Sequence, residues 1–466
     1  MAGVALLAGL LLGRAIPIRV ELDLWPAGLS AAPAFVLSLD SWTWALLVCV
    51  LGFGLAHALT ARGDLPSASR AASLGYLAAL GLAVPAKTIF LLTVTWTLAI
   101  LTQVWVIRAA SASRPSLPTR QVRAGDLLTL LLLMSAFGAG GLAASVSRQL
   151  AAILLGLAAL LRVGSAIRAT DESDSDGAFL VFPAAASGLA ALGWGWGEFP
   201  IGRLYALLVG IGTLLLTAGW FSGWLAGSRN VRASAWVVGI GGLGLLAAAS
   251  APTQTPASLG LTGIVLVLAG TLAVTLPLGR LGARIASALA VLIAVGFPGL
   301  VGIVLLGILV PDGSTSFLGW AAVVGIGLLA STFLKDALRP QAAAREEGGF
   351  LAAAAGGLVA VLAAILYFRL HELAPPPVAY APVIAAAVAF IAVLVLGRVP
   401  DSARTRMARA FRWPAYPRFA RDASAAGRPA LGFLRGVRDV LEGDASLLWA
   451  MVVVVVGLLL LQVIPS

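Results

Sequence analysis

AAILLGLAALLRVGSAIR, residues 151–168, is an apolar run with a guanidinium, Arg162, set well inside it. A polar, acidic break follows, TDESDSDG at 170–177, and three more apolar runs come after it at 178–196, 204–225 and 234–251. A charge inside a lipid-spanning helix costs about 3 kcal/mol on insertion scales. Arg162 is therefore the residue that any account of the chain has to explain.

Outward from this stretch the composition is uniform. Of 466 residues 60% are hydrophobic and 11% charged, with a mean hydropathy of +1.00. A soluble chain carries about 25% charged residues, so this composition excludes a soluble globular protein. Apolar runs of about 18 or more residues recur along the whole length, which predicts an all-α, polytopic transmembrane helical bundle. The runs do not alternate as the strands of an outer-membrane barrel would.

About fifteen spans are expected, near 1–13, 40–59, 70–85, 87–107, 126–145, 149–167, 178–196, 204–225, 234–250, 258–278, 286–310, 316–334, 349–368, 376–398 and 445–463. Residues 1–12 lack a basic leader and a clear cleavage motif, and read as a retained short helix. The net charge of +11 sits almost wholly in loops, and the strongly basic loops alternate with nearly uncharged ones such as APTQTPAS at 251–258 and PDGSTS at 311–316. That alternation places the N-terminus and the basic loops in the cytoplasm and the chain in the cell's inner (plasma) membrane. It also accounts for the positive charge without nucleic acid.

Three segments are expected: a transmembrane domain at 1–398, a basic cytoplasmic connecting segment at 399–444 and a C-terminal transmembrane helix at 445–466. The basic segment interleaves nine arginines with Phe411, Trp413, Tyr416, Phe419 and Phe433. Such clusters sit at the lipid headgroups, and a surface for a soluble partner is the other reading.

The single cysteine, Cys49, excludes a disulfide framework and any multi-cysteine cluster. Two histidines, His57 and His371, cannot make a His-rich metal site. DESDSDG lacks the glycine and glutamate spacing of a calcium loop, and no phosphate loop, zinc motif or catalytic triad occurs. No catalytic, cofactor-binding or metal residue is therefore assigned. Lys87 opens a span after Pro85 and is expected to reach for the interface. Trp194, Trp196, Trp220 and Trp224 fit an aromatic belt.

Several stretches resemble one family: the antiporter-like membrane subunits of NADH:quinone oxidoreductase (complex I), multisubunit Na+/H+ antiporters and membrane-bound hydrogenases. GLAALLRVGS at 156–165 is similar to the family's broken helix, with Arg162 where the family has lysine. Residues 203–244, from RLYALLVGIG to WVVGIGGLG, are similar to the helix pair that follows, GFPGLVG at 296–302 to the family's G-x-P-P-x-x-G, and LEGDASLLWAMVVVVVGLLLL at 441–461 to some members' C-terminal ending. The resemblance covers most of the chain and rests on the order and spacing of these motifs.

The resemblance implies discontinuous helices near 162–176 and after 296–302, and antiporter-like internal pseudo-symmetry. It implies sister membrane-arm subunits as partners in the lipid bilayer, with NADH, flavin and iron–sulfur chemistry left to other chains and no cofactor here. It also implies titratable groups that this chain lacks. The family's W-E pair falls on Trp96–Thr97, so its carboxylate is absent. The histidine-and-lysine helix falls on FLVFPAAASGLAAL at 179–192, and the lysine expected after GFPGLVG falls among apolar residues.

Arginine holds its proton above pH ~12 and offers no release step. The expectation is a divergent subunit, structural or weakly proton-translocating, in which Arg162 pairs with a carbonyl or a loop carboxylate such as Asp171. One rival is an active proton- or cation-translocating subunit with an altered path through Arg162, Thr97 and water. Another is a free-standing transporter or membrane glycosyltransferase. A transporter should carry an Asp or Glu mid-span and a glycosyltransferase an Asp/Glu or Arg cluster in a large outer loop, and the sequence shows neither.

Overall fold

The computed structural model describes residues 2–22, 35–60, 67–111, 119–140, 145–164, 177–198, 205–225, 229–250, 255–275 and 324–331, with single positions between 361 and 406. Two compact units divide the chain, Met1–Arg398 and Val399–Ser466. The described residues lie almost wholly in the first.

Among the described residues ten helices lie between residues 2 and 275, one for each apolar run expected there. They are α1 (Ala2–Leu12), α2 (Ser41–Thr60), α3 (Ser67–Ala83), α4 (Ile89–Ser111), α5 (Thr119–Gly140), α6 (Ser145–Gly164), α7 (Gly177–Glu198), α8 (Tyr205–Leu225), α9 (Arg229–Ser250) and α10 (Thr255–Thr275). Among the described residues three helical stretches are long and apolar enough to cross a membrane: Ser41–Leu59, Ile89–Val106 and Leu208–Leu225. Apolar side chains are exposed on these helices too, among them Leu98, Leu101 and Trp105 along one face of α4. In water such a stripe would be costly, whereas hydrocarbon is its natural solvent.

Two features correct the sequence reading. The first is an antiparallel hairpin, β1 (Ile18–Leu22) with β2 (Phe35–Leu39), paired from Ile18↔Leu39 to Leu22↔Phe35. The bundle is thus helical but not purely α. Its signal lay in IRVEL, where Ile18, Val20 and Leu22 alternate with Arg19 and Glu21 at the two-residue period of a strand. The connection between α3 and α4 runs along the other edge of β2: Ser38 N donates to Pro85 O at 2.9 Å and Lys87 N to Val36 O at 3.0 Å.

The second is the start of α5, seven residues ahead of the apolar run. A helix ends where its backbone hydrogen bonds end, not where its side chains turn polar. The charged first turns of α5 therefore continue the same helix, and Asp126 stands inside it.

The helices are tied by a few specific contacts. Asp40 caps α2: Thr43 N donates to Asp40 Oδ1 at 2.7 Å while Asp40 N donates to Thr43 Oγ1 at 2.9 Å. This is the reciprocal arrangement of a capping box. Trp44 Nε1 donates to Gly9 O at 2.8 Å and joins α2 to α1. Phe90 of α4 meets Phe35 of the hairpin edge-on at 5.2 Å and Phe137 of α5 at 5.7 Å.

The α8–α9 pair packs backbone to backbone. A Cβ on Gly219 would lie 2.5 Å from Gly239 N, and one on Gly242 would lie 2.5 Å from Leu216 N. Helices in a membrane gain little from hydrophobic transfer, so close approach through small residues is what holds such a pair.

The expected interruption after 296–302, the spans near 286–310 and 445–463 and the basic segment's aromatic residues lie outside the described residues. Arg162 stands in the last turn of α6, which ends at Gly164. Residues 165–176, Asp171 among them, are outside the description.

A buried charge pair across α3 to α6

α5 and α6 are antiparallel neighbours, and each brings one charge to the seam between them. Arg162 Nη1 donates to Asp126 Oδ1 at 2.8 Å. The side chains are only 1% and 5% exposed. The guanidinium carbon lies 5.7 Å from the ring centroid of Trp96 on α4, close enough for a cation–π contact, worth about 2 kcal/mol when desolvated. Tyr76 of α3, wholly buried, is near enough to feel both charges. Four consecutive helices thus supply one side chain each to a single constellation.

Further polar side chains are buried on α3, α4 and α5. Ser73 and Tyr76 stand six and nine residues from the start of α3 (73−67, 76−67), Gln103 eight from the end of α4 (111−103), and Asp126 and Thr129 seven and ten from the start of α5 (126−119, 129−119). All five are buried. Gly75 faces Thr102, with a Cβ there 3.3 Å from its methyl group, which fixes the α3–α4 register at this depth. Towards the opposite ends the same helices bury apolar side chains: Leu77, Leu80 and Ala83 on α3, Leu92 and Ala99 on α4, Leu133 and Ala136 on α5, Leu155, Ala158 and Ala159 on α6. Thr95 is polar and buried there, but its hydroxyl is returned to Leu91 O and Leu92 O, each at 3.0 Å.

Three residues were singled out in the sequence, and the structure does not bring them together. Arg162 is the centre of the pair. Thr97 turns away from it: half-buried, it donates to Thr93 O of its own helix at 2.7 Å. Trp96, its neighbour, is the residue of that dipeptide which meets the guanidinium. Lys87 belongs to another place altogether. Its Nζ lies 3.7 Å from Asp40 Oδ2, with 19% of its side chain exposed, in a small cleft with Trp42, Thr43 and Trp194. It braces the hairpin against the start of α2.

Asp126 bears on two expectations. Arg162 has a partner on α5, Asp126, while Asp171 lies outside the described residues. And a carboxylate does lie inside a helix, where the sequence reading found none. It stood at the very start of the expected span 126–145; the helix's start at Thr119 and the packing of α5 on α6 put it inside. Among the described residues Asp126 and Arg162 are the only buried acid and base of full charge. No cluster of three or more metal-ligating His, Cys, Asp or Glu side chains occurs among the described residues.

No protein-family model matches the chain, and none of the curated proteins does. Solved structures match over nearly the whole length. A chain of the Mrp complex from Dietzia sp. DQ12-45-1b superposes with a TM-score of 0.66 at 17% identity, covering 99% of this chain. This chain spans 59% of that one's length. A chain of the membrane-bound sulfane sulfur reductase, an archaeal respiratory membrane complex, gives 0.65 at 13% identity, covering 98% of this chain and 94% of its own. A chain of respiratory complex I from Thermus thermophilus with bound NADH gives 0.60 at 14%, covering 83% and 93%. At such identities the likeness is one of fold, which this chain shares with membrane-complex chains of the Mrp complex, the sulfane sulfur reductase and respiratory complex I.

Proposed function

We propose that this chain is a membrane-arm subunit of a complex-I-like respiratory assembly: a divergent antiporter-like subunit that is structural, or at most weakly proton-translocating. It has about fifteen spans, discontinuous helices and antiporter-like pseudo-symmetry, with residues 1–398 as the transmembrane domain, 399–444 as a basic cytoplasmic connection and 445–466 as a last span. It sits in the inner membrane against sister subunits and has no active site of its own. Electron-transfer cofactors belong to its partners.

The observation that supports the structural role is the Arg162–Asp126 pair. A relay must take up and release a proton, and a guanidinium does not release one. Asp126 is held against that fixed charge, and apolar side chains on all four helices follow on one side of it. Such a pair locks helices together. The same carboxylate supports a second reading, active proton or cation translocation with Asp126 as the titrating group, since buried carboxylates inside spans are commonly functional.

Proton-to-electron stoichiometry separates the two, measured in vesicles holding the assembled complex with subunit content followed in parallel. The structural role predicts that Arg162→Ala lowers subunit content while stoichiometry per assembled complex is unchanged. A fall in stoichiometry at unchanged content would overturn it in favour of translocation. Genes for other membrane-arm subunits beside this one are expected on either reading, and an isolated gene would favour a free-standing transporter.

A further inference from the structure

Four chain segments frame a small cleft at one end of the bundle. Asp40 and Trp42 come from the start of α2, Lys87 from the residues leading into α4, Trp194 from the end of α7 and Gly260 from the beginning of α10. Small residues let these walls close. A Cβ on Gly260 would lie 3.2 Å from Trp42 Cβ, and one on Gly193 would lie 3.3 Å from Pro256 Cα. The cleft thus sits where helices begin and end. In a bilayer that is the headgroup level, and tryptophan is a residue type that lodges there.

The two charges in the cleft are not fully spent on each other. Lys87 Nζ and Asp40 Oδ2 stand 3.7 Å apart, beyond the N–H···O limit of about 3.2 Å. The Lys87 backbone is pinned to β2 through its N–H to Val36 O, so the ammonium is delivered from a fixed strand edge. Asp40 is divided: Oδ1 accepts from Thr43 N at 2.7 Å and from Thr43 Oγ1 at 2.8 Å, while Oδ2 faces Lys87. The side chains are 19% and 44% exposed, and both can be reached from outside. Among the described residues no third charged side chain lines the cleft.

One positive and one negative group side by side select a ligand that carries both charges. An anion would gain Lys87 and be repelled by Asp40, and a cation would meet the reverse. A zwitterion satisfies both. A phosphodiester accepts from the Lys87 ammonium and a primary ammonium donates to Asp40 Oδ2, both as charge-assisted hydrogen bonds, the strong kind. A quaternary ammonium has no N–H to donate.

We propose that this cleft seats the headgroup of a phosphatidylethanolamine lipid, its phosphate on Lys87 and its ammonium on Asp40, with Trp42 and Trp194 beside it. The Lys87–Asp40 pair then recognises a bilayer lipid as well as bracing the hairpin. The site goes beyond the structural role proposed above. It rests on the chain's place in a membrane and is independent of whether protons move through it.

Native mass spectrometry of the detergent-solubilised full chain tests the assignment. The chain is equilibrated with equimolar phosphatidylethanolamine, phosphatidylcholine and phosphatidylglycerol of one acyl length. Phosphatidylethanolamine should be retained at least about threefold over either of the others, the scale of one partly solvated charge pair. Asp40→Asn keeps an N-cap acceptor and with it the start of α2, and it should turn the preference towards phosphatidylglycerol. Lys87→Gln should remove the preference for phosphatidylethanolamine. Arg19→Gln, at the exposed Arg19–Glu21 pair of β1, should leave it unchanged. Equal retention of the three lipids by the unmodified protein, or stronger retention of either of the other two, would overturn the proposal. So would a preference that survives Asp40→Asn or is lost in Arg19→Gln. Displacement of the lipid by millimolar inorganic phosphate would make the cleft a site for free phosphate and overturn it as well.

Discussion

Arg162 and Asp126 stand 36 positions apart in the chain, and their Nη1 and Oδ1 atoms meet at 2.8 Å between α5 and α6, where both side chains are almost wholly excluded from solvent. Breaking a buried pair leaves an uncompensated charge, whereas replacing both members with apolar residues removes the desolvation cost together with the attraction. Arg162→Ala and Asp126→Leu should each lower stability by about 3–5 kcal/mol. Arg162→Met combined with Asp126→Leu should recover most of that loss. Thermal unfolding of the detergent-solubilised protein checks it, and additive losses in the double variant would mean that the pair is not an energetic unit.

Trp96 contributes through its face to the same guanidinium. Trp96→Leu keeps the volume apolar and removes the cation–π contact, so a loss of about 1–2 kcal/mol is expected beyond the packing cost. The excess should vanish when Trp96→Leu is made on an Arg162→Met background. A loss independent of residue 162 would make Trp96 a packing residue only.

At the hairpin, the two partners of the Lys87–Asp40 contact carry unequal weight. The pair is 3.7 Å apart, with Asp40 44% exposed, and partly solvated pairs are worth about 0–1 kcal/mol. Asp40 also caps α2, and losing an N-cap costs about 1 kcal/mol. Asp40→Ala should therefore destabilise the protein measurably more than Lys87→Gln in the same thermal assay. Equal effects would assign the stabilisation to the ion pair.

Gly219 and Gly242 set the approach of α8 to α9. A methyl group at either would lie 2.5 Å from backbone nitrogen on the neighbouring helix. Since backbone cannot rotate aside as a side chain can, Gly219→Val should separate the helices and lower stability by about 1–3 kcal/mol, the usual cost of overpacking. Gly210, with nothing within 4 Å of its would-be Cβ, is the control, and Gly210→Ala should be close to neutral. A Gly219→Val variant as stable as the parent would show that the close approach is dispensable.

The alternating loop charges predict an orientation for the chain in the membrane. Single cysteines at Arg120 and Arg280, on a Cys49→Ala background, should react with impermeant reagents from the cytoplasmic side. Those at Gln254 and Ser314 should react from the outer side. Labelling of positions 120 and 254 from the same side would mean that the spans between them are miscounted.

Apolar length and the position of charges are local properties, and they sufficed to locate ten helices to within a few residues at most ends and to single out Arg162 as the anomaly among them. The resemblance to antiporter-like subunits rested on the order of short motifs, which survives at identities where composition alone says little. The hairpin was written in the sequence as well, in the alternation of IRVEL, but a five-residue signal beside twenty-residue apolar runs is easily outweighed. The partner of Arg162 was not written locally at all. Asp126 sits at the edge of its apolar run, and nothing near it in sequence distinguishes it from a loop carboxylate. Only the packing of α5 against α6, with α3 and α4 behind them, turned two residues 36 positions apart into one buried pair. Pairing across helices is decided by which faces meet, and that depends on every helix in the bundle at once.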